Sequence, residues 1–422
     1  MSVVVASTGP LRGEVVLPGD KSLSHRILIL GALSPQPLEI RNIAPGDDVR
    51  ATVRCLRELG AEIEVSADVV RMRGPERLRA PTQVLDCGNS GTTMRLLAGV
   101  ISGAGLAAAL DGDASLRRRP MRRILDPLRR MGARCEGTRG QDGEERAPLV
   151  FFGGARLQGG AFRLPVASAQ VKSALLLAGL VAGVPVRVEE PGRSRDHTER
   201  MLAAFAPEGR LPLRLPMVYT AAGDPSTAAF LAAAAALVPG SEIRLRRMNA
   251  NPTRIGWVRA LQRMGADIEV LEEGVEAGEP VASVVVRHGP RLRAIRIEAE
   301  EVPSLIDEIP ILAAVATQAE GQTEIRGARE LRVKESDRIA AMAAGLSRMG
   351  ARVEALEDGL RIHGPTRLRG ARVEAAADHR VAMSLAVAAL CAEGETTIEG
   401  GEWASVSFPN FYETLAALQA AA

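Results

Sequence analysis

Several short stretches of this chain have the residue types and spacing needed to handle anions. Gly19-Asp20-Lys21-Ser22, followed by Arg26, opens one apolar run. It resembles a phosphate loop, but Asp20 separates the glycine from the lysine and breaks the Walker A spacing, so a nucleotide P-loop is not expected. Lys21 offers a point charge and Arg26 a bidentate clamp for separate anionic groups. Asn89-Ser90-Gly91-Thr92 opens a second run, where Gly91 lets a ligand approach the backbone. Ser168-Ala169-Gln170 opens a third with a hydroxyl, a backbone amide and a side-chain amide. Arg119, ahead of the fixed turn at Pro120, and the cluster Arg195-Asp196-His197 are further candidates. No second histidine lies at ligand spacing from His197, so no metal is expected.

The later part of the chain carries the carboxylates. Asp307 and Glu308 interrupt the apolar entrance Leu305 to Leu312, as a buried cap or as a general base. Arg332-Val-Lys334-Glu335-Ser-Asp337-Arg338 reads either as a charged helical face with Glu335 paired to Arg338, or as part of a site. His379-Arg380 opens another apolar run.

The elements that must hold these residues repeat. LRELGAEIE from Leu56, LRRMGARCE from Leu128, LQRMGADIE from Leu261 and LSRMGARVE from Leu346 each read as a helix end, a capping glycine and a strand start. Six segments open with small polar residues and continue into apolar helices, from Gly19, Gly88, Ser168, Gly223, Ser304 and Asp378. Three fall before about residue 222 and three after it, which predicts two similar α/β halves. Polar starts are usually N-caps. If the buried helices run alike, their N-termini also present N–H groups to one anion-binding cleft.

The bulk composition excludes several classes. The 422 residues exceed one ordinary core and suit two domains. A net charge of +2 and 3% aromatic residues leave neither a global field nor stacking platforms for nucleic acid. The longest apolar run, Ala228 to Val238, is too short to span a bilayer. Cys55, Cys87, Cys135 and Cys391 are scattered, and no signal-peptide pattern opens the chain, so reduced thiols in the cytoplasm are expected.

In order along the chain, the motifs Leu17-Pro-Gly-Asp-Lys-Ser, Gly88-Asn-Ser-Gly-Thr-Thr-Met-Arg, Gly112-Asp-Ala-Ser-Leu ending in Arg119-Pro120, Arg332-Val-Lys-Glu-Ser-Asp-Arg, Asp378-His-Arg-Val-Ala-Met and Ser407-Phe-Pro-Asn-Phe resemble the 5-enolpyruvylshikimate-3-phosphate synthase family. The resemblance implies an α/β fold of two similar domains, each of three βαβαββ units, the inside-out α/β barrel of enolpyruvyl transferases. The first domain is expected at 13–222 and the second at 1–12 with 223–422. The implied reaction transfers the enolpyruvyl group of phosphoenolpyruvate to the 5-hydroxyl of shikimate 3-phosphate, through a tetrahedral intermediate and with release of phosphate. No cofactor is implied, and a cytoplasmic monomer is expected.

Carried over by position, the resemblance gives shikimate 3-phosphate to Ser22, Arg26, Ser168, Ala169 and Arg195, and phosphoenolpyruvate to Gly91, Arg119, Arg338 and Arg380. Lys21, Gln170 and Lys334 lie near both substrates. Asp307 takes the hydroxyl proton, and Glu335 serves the methylene carbon as acid and base with help from Lys21. Lys21 and Lys334 are expected to meet when the two halves close. Gly19-Asp-Lys, Ser168 to Lys172, Arg195 to Glu199 and Asn251-Pro-Thr-Arg254 resemble the branch tolerant of the inhibitor glyphosate. The most tolerant relatives have alanine where this chain has Gly91, so partial tolerance is expected. Val406 stands where some relatives have a lysine that contacts phosphoenolpyruvate.

The rival transferase, acting on UDP-N-acetylglucosamine, usually has a cysteine in the loop that here runs Asp113 to Pro120 without one. A non-catalytic anion-binding scaffold would not need Asp307 and Glu335 together. RNA terminal phosphate processing lacks its basic, aromatic surface here.

Overall fold

The computed structural model describes residues 1–6 and 9–421. The chain divides into two compact units: Gly19–Ala221 with Val275–Glu279, and Met1–Pro18 with Ala222–Gly274 and Pro280–Ala422. The crossings fall at Pro18–Gly19 and Ala221–Ala222 rather than at 12–13 and 222–223. The reason is pairing: strand Arg12–Val16 runs parallel to Glu242–Asn249, with Glu14 opposite Arg244, which commits residues 12–16 to the second unit's sheet.

The first-named unit contains helices α1 (Lys21–Ala32), α2 (Asp47–Glu58), α3 (Gly91–Ala104), α4 (Arg122–Arg130), α5 (Ala169–Ala182) and α6 (His197–Phe205). The other contains α7 (Pro225–Leu237), α8 (Gly256–Arg263), α9 (Ile309–Ala316), α10 (Arg338–Arg348), α11 (His379–Ala389) and α12 (Phe411–Ala420). Odd-numbered helices are the apolar ones. In α7 every residue from Pro225 to Ala236 is buried, and in α11 every residue from His379 to Ala389. Even-numbered helices bury one face only, as Val49, Thr52, Val53 and Leu56 do in α2. No helix among the described residues is long and apolar enough to cross a membrane.

The sheets repeat one plan. Leu85–Asp86 pairs in parallel with Ala107–Asp111, which pairs antiparallel with Glu145–Phe152, itself antiparallel to Cys135–Arg139. With α3 and α4 in the connections, this is βαβαββ. Arg296–Ile297, Gly321–Ile325, Gly359–Gly364 and Arg352–Leu356 repeat it with α9 and α10. In two further sheets the parallel first strand comes from a distant part of the chain: Arg12–Val16, and Val218–Thr220 against Leu38–Arg41. The third sheet of each unit is smaller: Gly160–Arg163 with Val186–Glu189, and Ser2–Val5, Thr396–Glu399 and Arg372–Glu374.

The four-fold sequence phrase has one geometric cause. Gly60, Gly132, Gly265 and Gly350 follow α2, α4, α8 and α10 with φ of 100°, 102°, 95° and 94°. The alanine after each glycine donates its N–H to the carbonyl of Leu56, Leu128, Leu261 or Leu346, at 3.0 Å each time. This six-to-one bond reverses the chain at the helix end and needs positive φ at the glycine. The leucine side chain anchors the turn, since all four are at most 1% exposed.

Candidate active-site residues

The odd-numbered helices begin at the polar segments singled out in the sequence. Four of the six starts are capped by their own polar residue: Asp20 accepts from Leu23 N, Ser90 from Thr93 N, Asp224 from Ser226 N and Asp378 from Arg380 N. For these four, capping accounts for the residue type. The remaining two, Ser168 before α5 and Glu308 before α9, make no side-chain cap. Glu308 instead accepts from Ser226 Oγ and lies 3.6 Å from Arg380 Nη1.

In the unit holding α1 to α6, Lys21 is the first residue of α1 and its Nζ lies 2.9 Å from Asp48 Oδ2. Asp48 was not singled out in the sequence, because two acids in the first turn of a surface helix read as helix-dipole partners. A chain of contacts ties three helices together: His25 Nδ1 to Thr52 Oγ1 at 2.7 Å, Thr52 Oγ1 to Thr93 Oγ1 at 2.7 Å, and Thr93 Oγ1 to Ser90 Oγ at 2.7 Å.

Arg26 is 5% exposed, and three of its nitrogens already donate to protein: Nε to Thr198 Oγ1 at 2.7 Å, Nη1 to Ser22 O at 2.9 Å and Nη2 to Ser173 Oγ at 2.9 Å. Burial brings its pKa down to about 10, against the pull of Asp20, Glu199 and Glu279. The expected free clamp is thus a guanidinium with most of its reach already used.

Gly91 and Ala169 are the first residues of α3 and α5. The two helices pack so closely that a Cβ on Gly99 would meet Ala174 O at 2.1 Å, and one on Gly103 would meet Ala178 O at 2.5 Å. Gln170 is held from both ends by α3: Arg95 Nη1 donates to its Oε1, and its Nε2 donates to Thr92 Oγ1 at 3.0 Å. Arg95 lay inside a quoted motif without an assigned role. Arg119 donates to Asn89 Oδ1 and is half-buried, whereas Arg117 and Arg118 are exposed and Arg117 pairs with Asp111.

Arg195 is half-buried beside a closed network. Lys172 Nζ lies 2.6 Å from Glu190 and 2.7 Å from Glu199, and Glu190 accepts from Ser194 N at 3.0 Å. Burial alone would lower the Lys172 pKa, but the two glutamates hold it above its ordinary value. His197 Nδ1 lies 2.8 Å from Glu279 and is fully buried, a satisfied core histidine.

In the unit holding α7 to α12, Asp307 lies in the turn Ile306–Glu308 before α9. Arg338 is the first residue of α10 and its side chain is 1% exposed. It meets three carboxylates: Nη2 donates to Glu335 at 2.7 Å, Nε to Asp378 at 2.8 Å and Nη1 to Asp307 at 3.4 Å. Burial alone would lower its pKa, but the three carboxylates outweigh that and raise it. The stretch from Arg332 is therefore not a solvated helical face, although the Glu335–Arg338 pair exists. Lys334 precedes Glu335 in sequence, yet its Nζ is 4.0 Å from Asp307. Arg380 is 7% exposed, its Nη1 donates to Asp307 O at 3.2 Å, and its Nη2 is 4.0 Å from Asp307 Oδ2. Val406 ends the turn Gly401–Val406 and is half-buried.

One unit thus offers cations, amides and helix starts, and the other offers carboxylates set against one buried guanidinium. That is the equipment of a group-transfer enzyme acting on anions. A sequence model of the family described as EPSP synthase (3-phosphoshikimate 1-carboxyvinyltransferase) matches residues 5–415. A 3-phosphoshikimate 1-carboxyvinyltransferase from Gloeobacter violaceus is 52% identical over 420 residues, covering 96% of each chain. One from Synechococcus sp. strain RCC307 is 49% identical over 99% of each. The solved EPSP synthase of Acinetobacter baumannii aligns with a TM-score of 0.86 and 38% identity, covering 99% of this chain and 98% of that one. This chain belongs to the EPSP synthase family.

Proposed function

We propose that the chain transfers the enolpyruvyl group of phosphoenolpyruvate to the 5-hydroxyl of shikimate 3-phosphate, with its own residues in the following roles. Lys21, Ser22, Arg26, Ser168, Ala169, Gln170, Arg195 and Lys334 hold shikimate 3-phosphate. Lys21, Gly91, Arg119, Gln170, Arg338 and Arg380 hold phosphoenolpyruvate. Asp307 accepts the 5-hydroxyl proton as that oxygen bonds to C2 of phosphoenolpyruvate, while Glu335 delivers a proton to C3 with help from Lys21. The C2–O bond to phosphate then breaks, and Glu335 takes a proton back from C3 to restore the double bond.

The observation that carries this reading is Arg338. A single buried cation spans Asp307 and Glu335, the proposed base and acid, at 3.4 and 2.7 Å. Two carboxylates fixed against one rigid fork stay aligned through both proton transfers. The Ser168 hydroxyl is not used for capping, which supports its assignment to a ligand. All four cysteines are free, consistent with a cytoplasmic enzyme.

The test is phosphate release on mixing phosphoenolpyruvate with shikimate 3-phosphate, compared with UDP-N-acetylglucosamine as acceptor. Release with shikimate 3-phosphate alone is expected. Release with the sugar nucleotide alone would overturn the reading.

A further inference from the structure

Glu308 has no part in the roles above, yet it is a carboxylate at 0% exposure inside an apolar unit. Burying such a charge is costly unless partners compensate it. Its partners form a directional series. Arg254, 2% exposed, donates from Nη2 to Ser226 Oγ at 3.0 Å. A guanidinium only donates, so the single Ser226 hydroxyl proton is left to point at Glu308 Oε1, to which it is hydrogen-bonded. Ser226 is pinned from a second side, because its backbone N–H donates to Asp224 Oδ1 at 2.7 Å. The same Glu308 oxygen lies 3.6 Å from Arg380 Nη1. Asp307 O accepts from that nitrogen at 3.2 Å. Arg380 is therefore gripped along its Nη1 edge, while its Nη2 makes no hydrogen bond to the described residues and lies 4.0 Å from Asp307 Oδ2.

We infer that Glu308 is a positioning residue for phosphoenolpyruvate: aligned by Ser226 and Arg254, it holds one edge of the Arg380 guanidinium so that the other edge is presented to the anion. This rests on the assignment of Arg380 to phosphoenolpyruvate made above. The missing cap at the start of α9 fits the same reading, since this carboxylate is turned to Ser226 and Arg380 instead of to the helix's own N–H groups. Arg254, in the segment Asn251-Pro-Thr-Arg254, acquires a function at the far end of this series, three residues removed from the substrate.

The experiment is steady-state kinetics of Glu308→Gln, with the two substrates varied separately and inorganic phosphate as a competing anion. Glutamine keeps the acceptor for Ser226 but removes the charge facing Arg380. The KM for phosphoenolpyruvate and the inhibition constant of phosphate should both rise about tenfold, the scale of one charge-assisted bond. The KM for shikimate 3-phosphate should stay within about twofold of the wild type. A merely structural role would lower the active fraction and kcat without this split. An unchanged KM for phosphoenolpyruvate, or equal rises for both substrates, would overturn the inference. If Glu308→Gln does not fold, Ser226→Ala and Ser226→Thr decide: alanine should raise the phosphoenolpyruvate KM selectively and threonine, which keeps the hydroxyl, should restore it. Equal behaviour of the two would refute the series. A wild-type enzyme that releases no phosphate with shikimate 3-phosphate would instead fail the functional assignment itself.

Discussion

Acid should destabilise both units through two buried histidines, His25 in α1 and His379 at the start of α11. Burial lowers the His25 pKa to about 3 and the His379 pKa to about 4, with Arg380 adding to the effect at His379. In the unfolded chain both imidazoles titrate near about 6.5. Between those values the unfolded chain binds a proton that the folded chain refuses, so falling pH favours unfolding. The stabilisation is complete above about pH 6.5 and drains away toward the folded pKa values. At pH 5 each histidine has removed about 2 kcal/mol relative to pH 8. For a unit of this size that is about 4–8 °C of melting temperature. Asparagine keeps a polar atom near the Nδ1 position, where His25 meets Thr52 at 2.7 Å, but does not titrate. His25→Asn and His379→Asn should therefore each flatten the acid loss in their own unit, measured by calorimetry from pH 8 to pH 5. Variants that lose stability with acid as steeply as the wild type would refute the account.

Lys21→Ala should leave melting within about 1 kcal/mol, because its pair with Asp48 is more than a quarter exposed on the lysine side, yet lower turnover about a thousandfold. A well-folded, fully active variant would remove Lys21 from the mechanism. Gly91→Ala would place a methyl 3.2 Å from Arg119 Nη1 and 3.4 Å from Arg95 Nη1, both flexible side-chain ends. The fold should tolerate it, while the inhibition constant of glyphosate rises about tenfold or more; an unchanged constant would sink the crowding argument. Arg338→Lys keeps the charge but cannot fork to Glu335, Asp378 and Asp307 together. About 3 kcal/mol of stability should go, seen in urea unfolding, and turnover with it; a lysine variant as stable as the wild type would show that the three-way contact is not needed.

The four-fold phrase was legible because its cause is local: a leucine carbonyl, a glycine and an alanine N–H within six residues. The same locality made the starts of the odd-numbered helices readable. Residues whose importance comes from distant partners were not. Asp48 matters through Lys21 and Arg95 through Gln170 across the α3–α5 contact; Glu308 stood out as a carboxylate in an apolar entrance, but its partner Ser226, 82 residues away, did not. Arg26 shows the converse: its sequence neighbours suggest an open clamp, while Ser173 and Thr198, far along the chain, take up two of its donors. The unit boundary slipped because Arg12–Val16 has no local mark of the sheet it joins.

The small sheet made of Ser2–Val5, Thr396–Glu399 and Arg372–Glu374 has a consequence in time. Ser2 pairs with Glu399 and Val5 with Thr396. During synthesis Ser2–Val5 must wait for Thr396–Glu399, which emerges only after all the sequence between them. The unit running from Gly19 can gather nearly all its residues once Ala221 has emerged, lacking only Val275–Glu279. The other holds an unpaired strand until Thr396–Glu399 has emerged. Newborn chains thus carry one half nearly assembled and one with an exposed edge, and it is this second half that most needs shielding from aggregation.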